Sequence, residues 1–375
     1  MKQVINPGST IGIIGGGQLG RMLAIAARQM GYKIVVLEPS ENSPCQGVAD
    51  EMITASYDDQ LAAKKLAQLA DVITYEFENI DKNTAQLLTE IAYFPQGYEL
   101  LGITQHRLRE KEAITAIGVE VAPYKAIASI NDCQDAAREI GFPAVLKTCQ
   151  GGYDGKGQAV VHNETDLLQA TRQLLGETEL VLEGWVPFSC ELSVIVTRST
   201  KGETKTFPAA ENVHVNNILH QSIVPARVSD AVLEQAEKIA LKLADELGLV
   251  GILAIEMFVT EDGKVLVNEL APRPHNSGHY TIEGCETSQF EQQIRAICGW
   301  PLGSTNFHQA TVMENILGQH IEDVLHSVEK LGEVKLHLYG KKEAKQNRKM
   351  GHLTATGVTV DVALEKLQRI PERMC

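Results

Sequence analysis

The sequence predicts an α/β protein: a parallel N-terminal sheet with helices on its faces, followed by mixed α+β structure. Three observations carry this. Residues 10–40 read strand, turn, helix, strand, which is one βαβ unit. A second glycine-dense loop, at 151–157, lies between two strand-like runs. The later chain alternates strand-like runs at 191–198, 204–208, 251–259 and 264–270 with one long helix over 229–247. At 375 residues the chain is long for a single domain, so two or three are expected.

Taken in order, Thr10–Ile14 is a short apolar run rich in β-branched residues, and Gly15-Gly16-Gly17 is the turn after it. Leu19–Met30 is a helix ended by Gly31, and Ile34–Leu37 is the next buried strand. A helix over Gln60–Leu69 leads to a further strand of that sheet at Val72–Tyr75. The pattern breaks around Phe94-Pro95-Gln96-Gly97, which puts the first domain at 1–103. A charged helix at 104–117 follows, then the strand Ala144–Lys147, the glycine loop, the strand Gln158–His162, a helix at 164–175 and the strand Leu180–Glu183. These make a small unit at 104–183, and 184–375 forms a larger mixed domain with a small appended segment.

Hydrophobic content of 44% and charged content of 22% describe an ordinary globular protein. The N-terminus enters an apolar run without a signal-peptide pattern, and no run approaches the ~18–20 apolar residues that span a bilayer. The seven cysteines are scattered without metal spacing and read as reduced thiols, so a cytoplasmic protein is expected. A net charge of −14 argues against nonspecific nucleic-acid binding but not against small anionic substrates, which a local basic cleft can hold. Such a region lies between 335 and 352, where Lys335, Lys341, Lys342, Lys345, Arg348 and Lys349 stand against Glu343 alone; the plain alternative is a solvated basic face.

The first loop matches G-x-G-x-x-G at Gly15, Gly17 and Gly20, with Glu38 about where a dinucleotide-binding acid would meet a ribose. A helix N-terminus holds any phosphate equally well, with Gln18 beside it, and the glycines also permit tight helix–sheet packing. A dehydrogenase would leave the second glycine loop and the late carboxylates without a role. In that second loop, glycines let backbone N–H groups approach phosphate oxygens, and Lys147 and Lys156 add charge. It is not a Walker A motif, and a plain glycine-rich hairpin is the alternative. Downstream, Glu183-Gly184-Trp185-Val186 offers backbone to an adenine edge and Glu191 an acceptor for ribose hydroxyls.

Glu256 and Glu269 lie on two strand-like runs joined by the turn Thr260-Glu261-Asp262-Gly263. Counting outward from the turn brings them close to opposite each other. Two facing acids among apolar residues repel unless a cation lies between them, and magnesium takes such oxygen ligands, with Asn268 alongside. Paired surface acids are the alternative. His275 and His279 are spaced four apart, but Pro274 and Gly278 disfavour the helix that would align them on zinc.

With these residues placed, the chain resembles the ATP-grasp superfamily, and within it the N5-carboxyaminoimidazole ribonucleotide synthetase family of purine biosynthesis. The resemblance runs through GIIGGGQLGRM at the start, YEFENI at 75–80, GGYDGKGQ at 151–158, NELAPRPHNSGH at 268–279 and RKMGH at 348–352. It implies an ATP-grasp architecture: a Rossmann-like N-terminal domain, a small lid domain carrying the glycine loop and a larger mixed C-terminal domain. It also implies ATP, bicarbonate and 5-aminoimidazole ribonucleotide as substrates, Mg2+ (two ions) as cofactor, no NAD or zinc, no nucleic-acid or membrane partner, and a homodimer.

Carried over by position, the resemblance implies that Arg107, Lys147 and the loop residues Gly152, Tyr153, Asp154, Gly155, Lys156, Gly157 and Gln158 contact ATP. Glu183, Gly184, Trp185, Val186, Glu191 and His214 would complete that site. Glu256 and Glu269, with Asn268, would hold magnesium, and Asn268 and Glu269 would also face the nucleotide. Arg273 and His275 would hold carboxyphosphate, and Lys341 and Arg348 would act with them. Tyr153, Asp154, Lys341 and Arg348 would reach the ribonucleotide, with Gln18, Leu19 and Glu76 near its phosphate. Lys345-Gln346-Asn347 stands where relatives often have a Pro-Gly turn, which leaves open which clustered lysine reaches the substrate. The alternatives are a sibling formate-using glycinamide ribonucleotide transformylase, a dehydrogenase and a silent nucleotide-binding protein.

Overall fold

The computed structural model describes residues 4–151, 156–176 and 178–370, and its strands fall into three sheets. The first is wholly parallel: β1 (Thr10–Ile14), β2 (Lys33–Leu37), β3 (Glu51–Ile53) and β4 (Val72–Tyr75), in the order β3-β2-β1-β4. Helix Gln18–Gln29 covers one face together with helix Gln289–Ile297, around Ile11, Ile13, Leu23 and Ile294. Helices Gln60–Leu69 and Lys82–Ile91 cover the other, around Ile14, Leu66, Ile73 and Leu88. Burial on both faces is why β1, β2 and β4 read as nearly unbroken apolar runs.

The second sheet is antiparallel: β5 (Tyr124–Ile127), β6 (Ala144–Thr148), β7 (Gln158–Val161) and β8 (Leu180–Gly184), in the order β5-β8-β6-β7. Ala144, Leu146, Leu180 and Leu182 pack under helices Cys133–Ile140 and Glu164–Leu174. The two-residue period of a strand therefore sends Lys147, Val181 and Glu183 to the opposite face.

The third sheet has nine strands: β9 (Phe188–Arg198), β10 (Thr204–Thr206), β11 (Ala210–Val215), β12 (Ile218–Val224), β13 (Gly251–Thr260), β14 (Val265–Ala271), β15 (Ala310–Leu317), β16 (Lys335–Leu338) and β17 (Lys349–Gly357). Its order is β14-β13-β9-β11-β12-β15-β17-β16, with β10 beside β9, so the C-terminal segment extends this same sheet. Helix Asp230–Glu246 buries Val232, Ala236, Ala240 and Leu243 against Leu192, Val194, Leu253, Ile255 and Met257. The alternate residues Glu191, Ser193, Glu256 and Phe258 are left on the other face.

Element bounds differ from the sequence reading near the site. The helix expected at 104–117 runs over Arg107–Ala116, and a separate short helix, Glu99–Thr104, precedes it. The break between them has a tertiary cause: Gln105 Nε2 donates to the Glu78 and Ile80 carbonyls, and His106 is extended, with φ −143° and ψ 111°. The strand expected from 191 begins at Phe188, and the one expected at 204–208 ends at Thr206. Among the described residues no helix is long and apolar enough to cross a membrane.

Gly20 packs helix Gln18–Gln29 onto the β1 turn: a Cβ there would lie 2.5 Å from the Gly15 carbonyl oxygen and 3.3 Å from Cys45 Sγ. Backbone cannot yield as a side-chain tip does. Gly20→Ala is expected to cost roughly 1–3 kcal/mol, read as a lower urea midpoint at unchanged slope.

Candidate active site

The centre of the site is the β13–β14 hairpin. Val259, Phe258 and Met257 pair with Val265, Leu266 and Val267, and then the register shifts so that Glu256 stands opposite Glu269. Asn268 is the extra residue of this bulge; had the register continued unshifted, Asn268 and not Glu269 would stand opposite Glu256. The shift brings both Asn268 and Glu269 to the place where Glu256 waits. Asn268 Oδ1 is buried and has no hydrogen-bond partner among the described residues.

The two acids are not equivalent. Burial first, and then the facing Glu269, push the Glu256 carboxyl up to about 7. Burial opposes ionisation of Glu269 too, yet Arg107, then Lys147 and Arg273, outweigh it and hold that carboxyl below its ordinary value. Arg107 Nη1 lies 3.3 Å from Glu269 Oε2. The cations thus gather on the Glu269 side.

Those cations come from helix Arg107–Ala116 and the open face of the second sheet. The helix starts where the Arg107 N–H donates to the Cys149 carbonyl, 3.0 Å, just past β6. Helical spacing then turns Arg107, Glu110 and Lys111 inward together. Glu110 Oε1 accepts the Leu270 N–H at 2.8 Å, and burial, then Glu269, raise its carboxyl to about 8. Lys147 Nζ lies 2.9 Å from Glu183 Oε2, and Lys111 Nζ lies 3.2 Å from Glu183 Oε1. Burial works against the Glu183 charge, but Lys147 and Lys111 hold its carboxyl at about 2.

The remaining expected nucleotide residues lie along the same cleft. Gly184 N and Trp185 N donate to the Pro123 and Pro143 carbonyls, Val186 is buried, and Trp185 is half exposed. Glu191 Oε2 and His214 Nδ1 are 2.6 Å apart, and the Glu191 carboxylate, against the pull of burial, raises the His214 imidazole. Gln158 is the register partner of Lys147, and Gly157 accepts from Thr148 N. Gly152, Tyr153, Asp154 and Gly155 lie outside the described residues, while Lys156 lies in the turn that ends the loop.

Arg273 Nη2 reaches Glu78 Oε1 at 2.6 Å and Nη1 donates to the Pro274 carbonyl, while its buried Nε has no partner. His275 Nε2 is 3.6 Å from Glu256 Oε1 and its Nδ1 is 2.8 Å from Ser277 Oγ. Burial, then Arg273 and Lys349, hold this imidazole well below its ordinary value. His279 looks elsewhere, with Gln289 at 3.3 Å and its ring against His352 and Phe290. Among the described residues no three His, Cys, Asp or Glu side chains form a metal-binding group.

In the first glycine loop the backbone amides already have partners. Gly17 N and Gly20 N donate to the two oxygens of Glu76, at 2.5 and 2.6 Å, and Gly16 N donates to Glu38 Oε2 at 2.8 Å. Glu38 also accepts from Tyr57 Oη, 2.6 Å, and Ser40 N. Carboxylates therefore already take the amides a pyrophosphate would use, and Glu38 is turned inward. Gln18 does not cap the helix; its Oε1 accepts from Lys341 Nζ at 2.8 Å, and Leu19 is buried. Lys341 also donates to the Lys349 carbonyl, whereas Lys342 pairs with Asn42 and Lys345 with Glu343. Of the clustered lysines it is Lys341 that meets the first loop. Asn347 has φ 64°, so asparagine supplies the left-handed turn for which glycine is the usual choice, and exposed Arg348 donates to the Glu343 carbonyl.

Sequence reasoning missed four residues. Ser193 is the register partner of Glu256, with a buried, unpartnered hydroxyl, and Phe258 stacks on Phe188 with ring centroids 4.8 Å apart. Lys349 faces the acids from β17, near enough to lower Glu256 and His275. Lys111 is buried on the helix. A sequence signal existed only for Lys349, in the basic run.

Comparison with known proteins follows this geometry closely. Residues 8–105 match the ribonucleotide synthetase preATP-grasp domain, 112–290 the ATP-grasp domain and 311–366 the phosphoribosylaminoimidazole carboxylase C-terminal domain. The chain is 58% identical over 353 residues to an N5-carboxyaminoimidazole ribonucleotide synthase of Bacillus subtilis, covering 94% of this chain and 93% of that one. It is 45% identical to the synthase of that name from Staphylococcus saprophyticus, with 96% of each covered. A crystal structure described as the ADP complex of an N5-carboxyaminoimidazole ribonucleotide synthetase superimposes with a TM-score of 0.96 at 57% identity, covering 99% of this chain and 98% of that one. One from Aspergillus clavatus, in complex with ADP and 5-aminoimidazole ribonucleotide, superimposes at 0.90 and 31%, with 96% and 97% covered.

The facing acids set a pH dependence. Glu256 titrates near 7 in the folded chain and near its ordinary 4.5 when unfolded, so between those values the folded state binds the extra proton. Stability conferred through this group therefore falls as pH rises across that window. In chelator, the stability of Glu256→Gln relative to the parent is expected to climb from about pH 4.5 to 7 and level above. A flat difference in urea midpoints across that range would remove the buried, facing-acid account.

Proposed function

The chain belongs to the N5-carboxyaminoimidazole ribonucleotide synthase family of ATP-grasp ligases, and from that membership we infer how its residues share the work. The protein is an ATP-dependent ligase that carboxylates 5-aminoimidazole ribonucleotide in purine biosynthesis. The observation that carries the residue assignment is Glu256 facing Glu269, with Arg107 on Glu269 and Lys147 on the neighbouring sheet.

Bicarbonate is a poor electrophile. Transfer of the terminal phosphoryl of ATP to one of its oxygens gives carboxyphosphate and ADP. The ribonucleotide amine then attacks the carboxyl carbon, the carbon–oxygen bond to phosphate breaks, and the amine loses a proton. Lys147 and Arg107 hold the nucleotide phosphates in line and neutralise their charge. Arg273 presents a rigid fork that grips the small anion bidentately, as a lysine would not. His275, neutral because it is buried beside Arg273, offers an imidazole next to the reacting oxyanion. Glu191 and His214 take the nucleotide ribose, Glu183–Val186 the base, and the 152–158 loop closes over the phosphates to exclude water. Lys341 and Arg348, with Gln18, Leu19 and Glu76, take the ribonucleotide, with Tyr153 and Asp154 of the loop.

Magnesium fits the donors at the bulge. Glu256 is raised by the acid it faces, and Asn268 Oδ1 is a buried oxygen without a partner, so a hard cation would satisfy all three. Bound there, it would supply positive charge against the negative charge of the nucleotide phosphates. Residues 1–103, 104–183 and 184–375 serve as the Rossmann-like, lid and catalytic domains; the ends of the three sheets at Tyr75, Gly184 and Gly357 support this division. The reading extends to a cytoplasmic homodimer.

Phosphate release from ATP is expected to require both bicarbonate and aminoimidazole ribonucleotide; release driven by formate with glycinamide ribonucleotide would instead assign the transformylase reaction. Arg273→Ala is expected to lose carboxylation by about 100-fold or more, and a near-normal rate would take Arg273 out of the site. Glu269→Gln is expected to cripple turnover with the melting temperature retained, and unchanged ATPase at saturating magnesium would refute its role.

A further inference from the structure

Lys111 has no part in the assignments above, yet its side chain is only 1% exposed. Burying an ammonium is costly, and a methionine of similar volume would fill the space without that cost. Hydrogen bonding does not account for it, because Lys111 Nζ and Glu183 Oε1 lie 3.2 Å apart without hydrogen-bond geometry, and neither atom has a hydrogen-bond partner among the described residues. The Tyr124 ring is 6.0 Å from the ammonium. What Lys111 supplies at that position is charge.

The charge matters because Glu183 is shared. Its side chain is 4% exposed, one oxygen 2.9 Å from Lys147 and the other 3.2 Å from Lys111. Two ammoniums against one carboxylate leave the triad at a net charge of plus one. With Lys111 removed, Lys147 and Glu183 would form a closed neutral pair. Any phosphate oxygen would then compete with a buried carboxylate for the same ammonium, and to win it would leave Glu183 uncompensated. The neighbouring Arg107 also favours the Glu183 charge, but less than Lys111 does, and its guanidinium lies against Glu269.

We propose that Lys111 is a positioning residue, the resident counter-ion of Glu183 that makes the positive charge of Lys147 available to the nucleotide phosphates. The proposal rests on the nucleotide role of Lys147, and the test separates the two. The measured quantity is the ratio of ADP to adenosine affinity, by calorimetry on the full-length protein with magnesium; base and ribose contacts cancel in it. Lys147→Met collapses the ratio if the nucleotide reading is right. Lys111→Met lowers it roughly tenfold or more while adenosine affinity stays unchanged. The double variant Lys111→Met/Glu183→Gln restores most of the loss, because no buried carboxylate remains to hold Lys147. If Lys111→Met does not fold, Glu183→Gln alone carries the test, with a ratio that holds or rises. Equal losses for adenosine and ADP, a double variant no better than the single, or a lower ratio in Glu183→Gln would each overturn the role of Lys111. A ratio indifferent to Lys147→Met would overturn the nucleotide reading itself, and this inference with it.

Discussion

Two carboxylates held face to face across a hairpin are the constraint around which this molecule is arranged. Like charges at such separations repel by several kcal/mol wherever water is scarce. The structure meets this asymmetrically: Arg107, Lys147 and Arg273 hold Glu269 ionised, while burial and its neighbour raise Glu256. The result is an unequal pair, with the Glu269 carboxyl held below its ordinary value and that of Glu256 raised. Each element near it, from the β14 bulge to the helix at 107–116, serves to place a charge or an oxygen against that pair.

The Arg107–Ala116 helix is the keystone of the arrangement. Its N-terminus is anchored by Cys149 at the end of β6, while Glu110 holds the Leu270 amide of β14. The helix therefore ties the glycine-loop sheet to the strand that carries Glu269. Arg107, Glu110 and Lys111 point inward from it along one helical stripe, toward Glu269, the Leu270 amide and Glu183. Carboxylates are likewise satisfied from within the fold at the first glycine loop. There Glu76 and Glu38 take the amides of Gly16, Gly17 and Gly20, and Gln18 is held by Lys341 from the far end of the chain.

Much of this was legible in the residues. The apolar runs Thr10–Ile14 and Val72–Tyr75 and the helix Gln60–Leu69 were readable because burial on both faces leaves a strong local pattern. The hairpin carrying Glu256 and Glu269 was readable from its turn. Counting outward from that turn also brought the two acids close to opposite, as the structure pairs them; only the one-residue bulge at Asn268 was not readable, because it has no marker in a one-dimensional alternation. Strands β11, β12 and β15–β17 also escaped; among them β12 finds β15 across nearly a hundred residues, with Gln221 opposite Glu314, which is a tertiary fact. The break at Gln105-His106 depends on carbonyls of Glu78 and Ile80, which the local sequence cannot supply.

The sequence by itself determined the chemical inventory: a glycine loop with lysines, acids around a turn, an Arg-Pro-His stretch and a basic tail, because these follow from residue type and spacing. Only the tertiary structure decided which charge meets which. It gave Glu269 to Arg107, divided Glu183 between Lys147 and Lys111, and sent Lys341 rather than Lys342 or Lys345 to the first loop. The physical reason is that electrostatic partnership depends on distance and burial, and both are set by how three sheets pack, not by neighbours along the chain.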